Sequence, residues 1–565
     1  MTSPQFPEPP APLPPTPLDQ VDAMVERLAA RKGDWIKVSI PQRIAYLRKI
    51  IDGVVAVSDR WVEGGCRLKG ISEGDTLAGE EWIAGPWQTV RNARLLITAL
   101  EQLGQPKPPK VYARPDGQQV AKVFPATAHD RIMFGGFTGE VWLEPGLPAT
   151  QGRIYREPSG DGKVALVLGA GNVTSIAPMD ALYKLFAENE VVVLKMNPVN
   201  AHVGPRLEEA FKSLIDDGFL AIVYGGAEVG AHLASHPRVD TLHVTGSDRT
   251  YDAIVWGGNR EEQEQRKRAG TKTNAKPFSA ELGCVTPVLV VPGPWSESDL
   301  EFQARQVAGM VAQNASFNCN AAKVLVVARG WLQREAFLRK VHDAIARTRA
   351  RKAYYPGAED RYRSFLANYP QARVLGTSGE GVVPWTVIPD VPDAKGEYAL
   401  NTEAFCGVLA EVTLDATTAP EFLAKAVDFA NDRCWGTLSC SLLVHPTTAD
   451  EHAAELDRAI ANLRYGGIGI NCWAASVYAL VSTTWGAFPG HPPEDIQSGA
   501  GVVHNAFLFD HPQKSVVRAP FRIRPTPAWF ADHKNLAALG RRLTLLEASP
   551  SWGKLGRVVL EALKG

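Results

Sequence analysis

Short apolar runs alternate with amphipathic stretches between residues 163 and 245, and this alternation constrains the fold more than any other feature of the chain. The apolar runs occupy 163–168, 191–195, 221–224 and 241–244, and each is followed by a turn or a helical pattern. Strands that alternate with helices at this spacing run parallel, because each helix crosses back over the sheet. The pattern therefore predicts a doubly wound α/β sheet.

The flanking regions have a different character. From about 18 to 104 the apolar residues keep three- and four-residue spacing, which predicts helices. The segment 105–125 is polar and proline-rich and is interpreted as a connection, whereas 133–158 indicates short strands or an arm. After about 281 a second α/β region is expected, with strands that include PVLVVP and KVLVVA.

Composition excludes several classes of function. The chain has 565 residues and a net charge of -1, so it has no global field that would hold nucleic acid or an anionic membrane. Its seven cysteines are irregularly spaced, without a CxxC pair, which argues against a disulfide framework or a zinc site. No run of about 18 apolar residues occurs, so no membrane span is expected. The proline-rich N-terminus lacks the features of a signal peptide, and we expect a cytoplasmic protein.

Three strand-to-helix turns place polar groups where a parallel sheet usually binds ligands. Asn172 lies in GAGNVTSIAP, and its amide could donate a hydrogen bond to an oxyanion. Lys195 ends an apolar strand, and the carboxyl ends of parallel strands face the ligand crevice. Gly246 and Ser247, in HVTGS, could approach a phosphate closely. Each motif alone is also typical of an ordinary tight turn or a solvated strand end.

Two further residues are candidates for covalent chemistry. Glu281 precedes an apolar run in ELGCVTP and could act as a general base if it is partly buried. Cys319 lies in the small polar segment QNASFNCNAAK, where neighbouring amides could lower the pKa of a thiol. Taken singly, the two residues are better explained as an ordinary loop glutamate and an inert buried cysteine.

The order and spacing of these motifs resemble the aldehyde dehydrogenase superfamily over about 163–501. After Asn172, Lys195, the TGS turn and Glu281, that family has a nucleophilic cysteine about 35 residues later, an E-x-F-G-P-V segment and an SGxG loop. The corresponding positions here are Cys319, the segment EAFCGV that contains Glu403 and Phe405, and SGAG at 498–501.

The resemblance implies a role for each matched residue. Cys319 would attack the aldehyde, Asn172 would hold the oxyanion, and Glu281 would activate water to hydrolyse the thioester. The cofactor would be NAD or NADP, and its binding residues would be Lys195, Gly246, Ser247, Glu403 and Phe405.

The resemblance also implies an aldehyde dehydrogenase-like α/β fold with a Rossmann-type cofactor domain, an α/β catalytic domain and a β oligomerisation arm. A homodimer or homotetramer would follow from the arm, and the small-molecule partner would be an aldehyde. The expected parts are a disordered leader at 1–17, an NAD(P)-binding domain at 18–133 and 159–280, a catalytic domain at 281–501, an arm at 134–158 and 502–535, and a helical tail at 536–565.

Several positions depart from the family pattern and indicate a divergent member. The usual Gly-Gln before the cysteine is Ser316-Phe317, and the second glycine of ELGG is Cys284. The glutamate that favours NAD by binding the ribose hydroxyls is Pro198, so a 2′-phosphate meets no carboxylate there and NADP is permitted. The basic and aromatic segment 345–371 is interpreted as a solvated insertion rather than a nucleic-acid site.

Two other functions remain open at the level of sequence. In a CoA-acylating dehydrogenase, CoA would replace water as the acyl acceptor, but such enzymes usually lack the glutamate found here at 281. A catalytically inactive scaffold is the second alternative. Trp473, Trp485, Phe488 and Phe317 suggest an apolar tunnel for a medium-chain or aromatic aldehyde, although they could equally belong to the core.

Overall fold

The fold was analysed in a computed structural model that describes residues 6–105, 110–157 and 160–565. The predictions for residues 1–5, 106–109 and 158–159 lie outside the described residues. The strands are β1 Lys110–Ala113, β2 Gln119–Phe124, β3 Thr138–Leu143, β4 Val164–Leu168, β5 Val191–Lys195, β6 Leu220–Val223, β7 Thr241–Thr245, β8 Phe278–Glu281, β9 Pro287–Val290, β10 Val324–Ala328, β11 Arg373–Val374, β12 Thr386–Ile388, β13 Val408–Leu414, β14 Ser439–Leu443, β15 Gly467–Ile470, β16 Trp485–Gly486, β17 Gly499–Ala500, β18 Val502–His504 and β19 Pro512–Arg518.

Helices cover both faces of the sheets and also form the N- and C-terminal segments. They are α1 Leu18–Trp35, α2 Ile40–Leu68, α3 Ala78–Trp82, α4 Gln88–Glu101, α5 Ala128–Met133, α6 Arg153–Arg156, α7 Ile176–Phe186, α8 Gly204–Ala210, α9 Lys212–Asp216, α10 Ala227–Ser235, α11 Asp248–Val255, α12 Arg260–Ala269, α13 Glu297–Ala312, α14 Arg334–Ala346, α15 Ala358–Asn368, α16 Tyr398–Asn401, α17 Ala419–Asp432, α18 Pro446–Glu451, α19 Ala453–Asn462, α20 Ala475–Leu480, α21 Leu536–Ala548 and α22 Trp552–Ala562. In the described ranges, none of these helices is long and apolar enough to cross a membrane.

The smaller sheet has six strands in the order β17-β8-β7-β4-β5-β6. Strands β4 to β8 are parallel neighbours, and Leu168 pairs with Lys195 at the carboxyl ends of β4 and β5. Both of its central strands are buried along their whole length, as expected when helices cover both faces. This is the doubly wound sheet predicted from the alternating pattern, and the prediction is confirmed.

The larger sheet has eleven strands in the order β1-β2-β3-β19-β15-β14-β9-β10-β13-β12-β11. Strands β15, β14, β9, β10 and β13 form a parallel centre, while β1, β2 and β3 form an antiparallel meander at one edge. Strand β19 joins the two parts, because it pairs in parallel with β15 and antiparallel with β3. The predicted arm segments thus extend the sheet of their own chain, and the predicted contact with a partner subunit stays a prediction.

The interpretation of 105–125 as a connection is wrong for the described part of that segment. Residues 110–113 and 119–124 form β1 and β2, and Val120, Ala121, Val123 and Phe124 are buried. Prolines and polar residues on either side of β2 conceal this strand from a composition-based reading. Strands β1 and β2 therefore belong to the eleven-stranded sheet rather than to the smaller sheet.

The prediction of a disordered leader is also wrong for residues 6–17. This stretch has no helix or strand, but it lies against the body of the protein. Thr16 exchanges hydrogen bonds with the backbone of Tyr224, at 3.1 Å and 3.0 Å, and Arg67 donates to the carbonyl of Glu8 at 3.2 Å. Prolines restrict the backbone of an extended chain, so residues 6–17 lose little conformational entropy when they form these hydrogen bonds.

Candidate active site

The proposed nucleophile and base come from the two different sheets and meet between them. Glu281 is the last residue of β8, in the six-stranded sheet, and Cys319 lies in the loop that leads into β10 of the eleven-stranded sheet. Their side chains interact directly. All seven cysteines lie in the described residues, and Cys319 alone is partly exposed whereas the other six are buried. The structure therefore brings together the two residues predicted to carry the covalent chemistry.

The loop before Cys319 has an unusual backbone. Asn314, Ala315 and Ser316 all have positive φ angles, of 54°, 54° and 69°. Side chains disfavour this left-handed region, and strained residues of this kind are concentrated at functional sites. Ser316 occupies the position where the family usually has glycine, so this departure from the pattern has a conformational cost. The side-chain amide of Asn314 supports the turn by donating to the carbonyl of Phe317 at 3.1 Å.

The carbonyl of Cys319 is held by two side chains. Thr286 Oγ1 donates to it at 3.0 Å and Lys323 Nζ donates at 3.1 Å. Lys323 also forms an ion pair of 3.2 Å with Glu403 Oε1, which in turn accepts from the backbone N–H of Cys284 at 3.3 Å. The backbone at Cys319 is therefore fixed by a buried ammonium group and a hydroxyl.

The environment raises the pKa of both reacting groups. Burial raises the pKa of Glu281 to about 8, and the nearby charge of Asp180 adds to this effect. Burial raises the pKa of the Cys319 thiol well above its usual range, and the negative charge of Glu281 raises it further. The expectation that the loop lowers the pKa of this thiol is wrong, because no helix begins at Cys319 and its nearest charged neighbour is a carboxylate.

Glu281 nevertheless has the features of a base that is waiting for a partner. Its side chain is almost fully buried, and its Oε1 atom forms no hydrogen bond with any described residue. A buried carboxylate oxygen without a partner costs free energy unless a ligand, water or substrate group satisfies it. A carboxyl with a pKa near neutrality can accept and return a proton at physiological pH.

Asn172 lies next to the nucleophile loop, as predicted, and its amide Nδ2 donates to the carbonyl of Phe317 at 2.9 Å. Its own backbone carbonyl accepts three hydrogen bonds. The donors are Lys69 Nζ at 3.0 Å, Asn314 Nδ2 at 3.1 Å and the Tyr354 hydroxyl at 3.1 Å. The position of Asn172 thus depends on residues that are far from it in sequence.

A buried ion pair stands behind this cluster. Lys69 Nζ is 2.6 Å from Glu81 Oε1, and each side chain is 1% exposed. The ammonium also lies 5.4 Å from the centre of the Tyr354 ring. A buried charge is tolerated only where a partner of opposite charge and hydrogen bonds compensate for lost hydration. Lys69 and Glu81 therefore form a fixed support for Asn172.

The interpretation of 345–371 as a solvated insertion is wrong for several of its residues. Tyr354 contacts Asn172, and Arg351 forms a bidentate pair with Glu80 at 3.1 Å and 2.7 Å, with only 8% of its side chain exposed. Arg361 donates to the carbonyl of Phe405 at 3.1 Å. Basic and aromatic residues usually indicate a solvated surface, but here acidic and carbonyl partners allow them to be buried.

The predicted cofactor residues lie at the carboxyl ends of the smaller sheet. Lys195 is 8% exposed, and burial lowers the pKa of its ammonium to about 8 without an acidic neighbour that would offset the shift. Gly246 N donates to the carbonyl of Glu281 at 3.0 Å, and the Ser247 hydroxyl caps α11 by accepting from the N–H of Thr250. Gly246 and Ser247 are exposed at the crevice.

Glu403 and Phe405 lie on the other side of the crevice. Glu403 reaches the backbone of Cys284 and the ammonium of Lys323, as described above. Phe405 has a φ of 42°. The centre of its ring lies 5.8 Å from that of Phe317 and 5.0 Å from that of Tyr355. Contacts link Asn172, Glu281, Cys319, Glu403, Phe405 and Gly246 in one cluster, whereas Lys195 and Ser247 lie at the carboxyl ends of β5 and β7 without a contact to it among the described residues.

An apolar cavity of about 170 Å³ lies beside the nucleophile loop. Asn318 and Asn320, which flank Cys319, line it together with Trp473, whose indole N–H donates to the carbonyl of Asn320 at 2.7 Å. The other aromatic residues suggested for a tunnel, Phe317, Trp485 and Phe488, are not among the residues that line this cavity.

Sequence reasoning missed Lys69, Glu81, Asn314, Tyr354 and Lys323. Asn314 and Lys323 lie within the quoted segment QNASFNCNAAK but were not singled out there. Lys69, Glu81 and Tyr354 belong to none of the quoted motifs, and Lys69 is separated from Asn172 by 103 residues. The sequence did contain one signal, since the adjacent acidic residues of AGEEW lie in an otherwise apolar stretch. Such charges require buried partners when the segment packs inward.

Comparisons with known proteins agree with the geometry. Residues 88–359 match the model of the aldehyde dehydrogenase family. A coniferyl aldehyde dehydrogenase from a Pseudomonas species is 24% identical over 412 residues, which is 67% of this chain and 75% of that protein. An N-succinylglutamate 5-semialdehyde dehydrogenase from Sphingopyxis alaskensis is 28% identical over 183 residues, which is 32% of this chain and only 34% of that relative.

The fold comparison extends over nearly the whole chain. An indole-3-acetaldehyde dehydrogenase whose crystal structure contains NAD+ superimposes with a TM-score of 0.60 and 18% identity, and the match covers 90% of each chain. The arrangement of the two sheets, the matched residues 88–359 and the paired Cys319 and Glu281 lead to the same assignment. Residues 88–359 therefore match the aldehyde dehydrogenase family, and the chain has the aldehyde dehydrogenase fold.

Proposed function

We propose that this protein oxidises an aldehyde to a carboxylic acid, with Cys319 as the nucleophile and NAD or NADP as the hydride acceptor. The observation that carries the proposal is the pairing of the one partly exposed cysteine with a buried carboxyl whose free oxygen has no partner. A scaffold protein has no use for such a pair, because an unpartnered buried carboxyl destabilises the fold.

The proposed reaction begins at the sulfur of Cys319. The partly exposed thiol of Cys319 loses its proton to solvent, and its sulfur bonds to the aldehyde carbon, which gives a thiohemiacetal. The carbonyl oxygen becomes an oxyanion, and the Asn172 amide would turn from the carbonyl of Phe317 to donate to it, together with the N–H of Cys319. The bound nicotinamide would accept the hydride and leave a thioester on the cysteine.

Hydrolysis then completes the reaction. Glu281 removes a proton from water, and the hydroxide adds to the thioester carbon. The carbon–sulfur bond then breaks, which releases the carboxylic acid and the Cys319 thiolate, and Glu281 returns its proton to that sulfur. The unpartnered Oε1 of Glu281 lies where such a water would be activated, and its pKa of about 8 suits this step at mildly alkaline pH. This carboxyl is the feature that favours water over CoA as the acyl acceptor.

The residues at the crevice fit a dinucleotide. The Lys195 ammonium is buried without an acidic partner and would be satisfied by the adenosine ribose hydroxyls. Exposed Gly246 and Ser247 precede α11, whose N-terminus favours a pyrophosphate. Glu403 would bind the nicotinamide ribose beside Phe405. At Pro198, which begins a 3₁₀ turn, no carboxylate would repel a 2′-phosphate, so both NAD and NADP are accommodated.

Absorbance at 340 nm tests the proposal. Wild type and Cys319→Ala would be assayed with an aldehyde panel and with NAD and NADP in parallel, with and without CoA. We expect reduced cofactor without CoA, and a loss of at least about 1000-fold in the variant. The matched control is Cys66→Ala, since this buried thiol on α2 has no role in the proposed reaction. A signal only with CoA would replace the proposal by acyl transfer to CoA, and no signal from folded protein with any aldehyde would support the inactive scaffold.

A further inference from the structure

The apolar cavity beside Cys319 is closed by a segment that lies far from the catalytic motifs in sequence. Ala528, Trp529, Leu536 and Leu543 all contribute to its lining. These residues belong to α21 and to the stretch that precedes it, within the region expected only to form part of an arm and a helical tail. Aromatic residues from three other parts of the chain, including Trp87, Phe134 and Trp473, complete the wall.

Helix α21 is docked firmly enough to act as a fixed wall. Glu547 forms buried ion pairs with Arg91, at 3.1 Å, and with Arg94. The N–H of Leu536 donates to Thr76 Oγ1 at 2.7 Å. Gly79, in α3, allows a close approach, since a Cβ atom there would lie 2.3 Å from the backbone of Leu536.

An apolar cluster joins the same helix to the catalytic side. Trp87 packs with Leu536, Leu539, Leu543 and Leu546 in one buried group. Trp87 is the last residue of a π-helical turn, Ile83–Trp87, that also lines the cavity. A change in the volume of a leucine side chain on α21 therefore changes the volume of the cavity directly.

The charge of the cavity lining restricts its occupant. No lysine, arginine or histidine occurs among the described residues that line it, and its one carboxylate, Glu80, is already paired with Arg351. An aldehyde with a carboxylate or phosphate at its far end would lose hydration there without gaining a cation. An uncharged apolar group would instead gain the free energy of burial.

The size of the cavity restricts the occupant further. An apolar cavity of about 150 Å³ is sufficient to bind benzene, and the cavity here is of similar size, at about 170 Å³. It therefore has room for one ring or a short aliphatic chain and is filled by a single ring.

We propose that Leu536 and Leu543 determine the substrate range of the enzyme, because they close a cavity that selects uncharged aldehydes bearing one aromatic ring or a chain of similar volume. This inference rests on the proposed aldehyde oxidation. It assigns the C-terminal segment a role in specificity rather than in stability alone.

The test compares benzaldehyde, 2-naphthaldehyde and 4-carboxybenzaldehyde with wild type, Leu543→Ala and Leu560→Ala. Leu560 is the matched control, since it lies on α22 with 60% of its surface exposed. For wild type we expect kcat/KM to be at least about 100-fold higher with benzaldehyde than with 4-carboxybenzaldehyde. Leu543→Ala, which removes three carbon atoms from the cavity wall, should raise the ratio of kcat/KM for naphthaldehyde over benzaldehyde by at least about tenfold, since even one methylene in a pocket can change specificity by about tenfold.

Leu543→Val, which removes one methylene, provides a second variant in case the alanine variant does not fold, and we expect a shift of about threefold in the same ratio. An equal loss with both aldehydes, a ratio that stays unchanged, or the same shift in Leu560→Ala would overturn the inference. So would faster turnover of the carboxylated or of a quaternary-ammonium aldehyde. Inactivity of wild type toward every aldehyde is a different outcome, because it would instead contradict the proposed function.

Discussion

The two walls of the crevice are built in different ways. On the cofactor side, Lys195, Gly246 and Ser247 are placed by strand-to-helix turns and by backbone hydrogen bonds between strand ends, such as that from Gly246 to Glu281. On the nucleophile side, Asn172 and Cys319 are held by side chains from distant segments, including Lys69, Tyr354 and Thr286. A wall held by backbone hydrogen bonds tolerates side-chain changes elsewhere in the chain, whereas a wall held by long-range side-chain contacts does not.

This difference predicts how variants on the two sides behave. Changes on the nucleophile side should lower kcat and stability together, because they break hydrogen bonds and an ion pair that also hold the fold together. Changes on the cofactor side should alter the KM for the cofactor and leave the fold intact.

The largest effect is expected for Glu281→Gln, because it removes the base. We expect kcat to fall at least about 100-fold, the usual contribution of a general base. In wild type, kcat should rise as pH increases through about 8, since Glu281 becomes a carboxylate above its pKa. Steady-state kinetics between pH 6 and 10 would show this rise in kcat in wild type and in the exposed control Glu261→Gln, but not in Glu281→Gln. If kcat of Glu281→Gln still rose with pH, the titration would belong to another group.

Glu281→Gln also tests how the raised pKa of Glu281 affects the free energy of unfolding. A carboxyl whose pKa is raised in the folded state stabilises the fold fully below its unfolded pKa of about 4.5 and loses that contribution as pH rises through about 8. Compared with wild type, Glu281→Gln should therefore become progressively more stable between these pH values. Urea unfolding at pH 5 and pH 9 measures the difference, and equal differences at both pH values would contradict the assignment.

The next largest effect is expected for Lys69→Met. Removing one member of a buried ion pair usually costs about 3–5 kcal/mol of stability, and Asn172 loses one of the three donors to its carbonyl. We expect a loss of about tenfold or more in kcat with little change in the KM for the cofactor. Urea unfolding and steady-state kinetics measure the two effects.

The double variant Lys69→Met/Glu81→Leu separates positioning from folding. Replacing the whole pair by apolar side chains should restore most of the stability but not the rate, because the Asn172 carbonyl still lacks its ammonium donor. Full recovery of kcat in the double variant would show that the pair serves the fold alone.

A smaller effect is expected on the cofactor side, for Lys195→Met. We expect the KM for the cofactor to rise about tenfold, kcat to stay within about twofold, and the melting temperature not to fall, because a buried ammonium without an acidic partner is removed. In wild type this KM should increase as pH rises through about 8, where the lysine loses its charge. The exposed Lys212→Met is the control. A lower kcat at an unchanged KM would move Lys195 from cofactor binding to catalysis.

The smallest effect is expected for Ser316→Gly, which should stabilise the protein by about 1 kcal/mol. Glycine relieves the positive φ at this position, and the buried serine hydroxyl has no hydrogen bond to lose. Ser364→Gly, in the interior of α15, should instead destabilise by a similar amount. Chemical denaturation measures both, and a loss of stability in Ser316→Gly would show that the loop is not strained.

The same contrast explains what could be predicted from sequence. The parallel sheet was predicted correctly because its strands are buried on both faces and carry their signal locally. The pairing of Glu281 with Cys319 was predicted from the family resemblance, since 38 positions separate the two residues and no local pattern connects them.

The wrong predictions involve polar residues whose partners lie far away. Arg351 and Tyr354 have the character of a solvated segment, yet Glu80 and the backbone of Asn172 satisfy them in the interior. Strand β2 is flanked by prolines and polar residues, and its buried face is evident only once β3 lies beside it. The pKa of Cys319 was predicted in the wrong direction because it depends on the position of Glu281, which is a tertiary contact.

The most direct test of the central claim is to trap the acyl group on Cys319. Glu281→Gln would be incubated with benzaldehyde and the oxidised cofactor, digested and analysed by mass spectrometry. For Glu281→Gln we expect a benzoyl thioester on the peptide that contains Cys319, with about one equivalent of cofactor reduced. Wild type should complete the reaction repeatedly and accumulate little of this adduct. Reduction of cofactor without an adduct on Cys319, or an adduct on another cysteine, would contradict the claim.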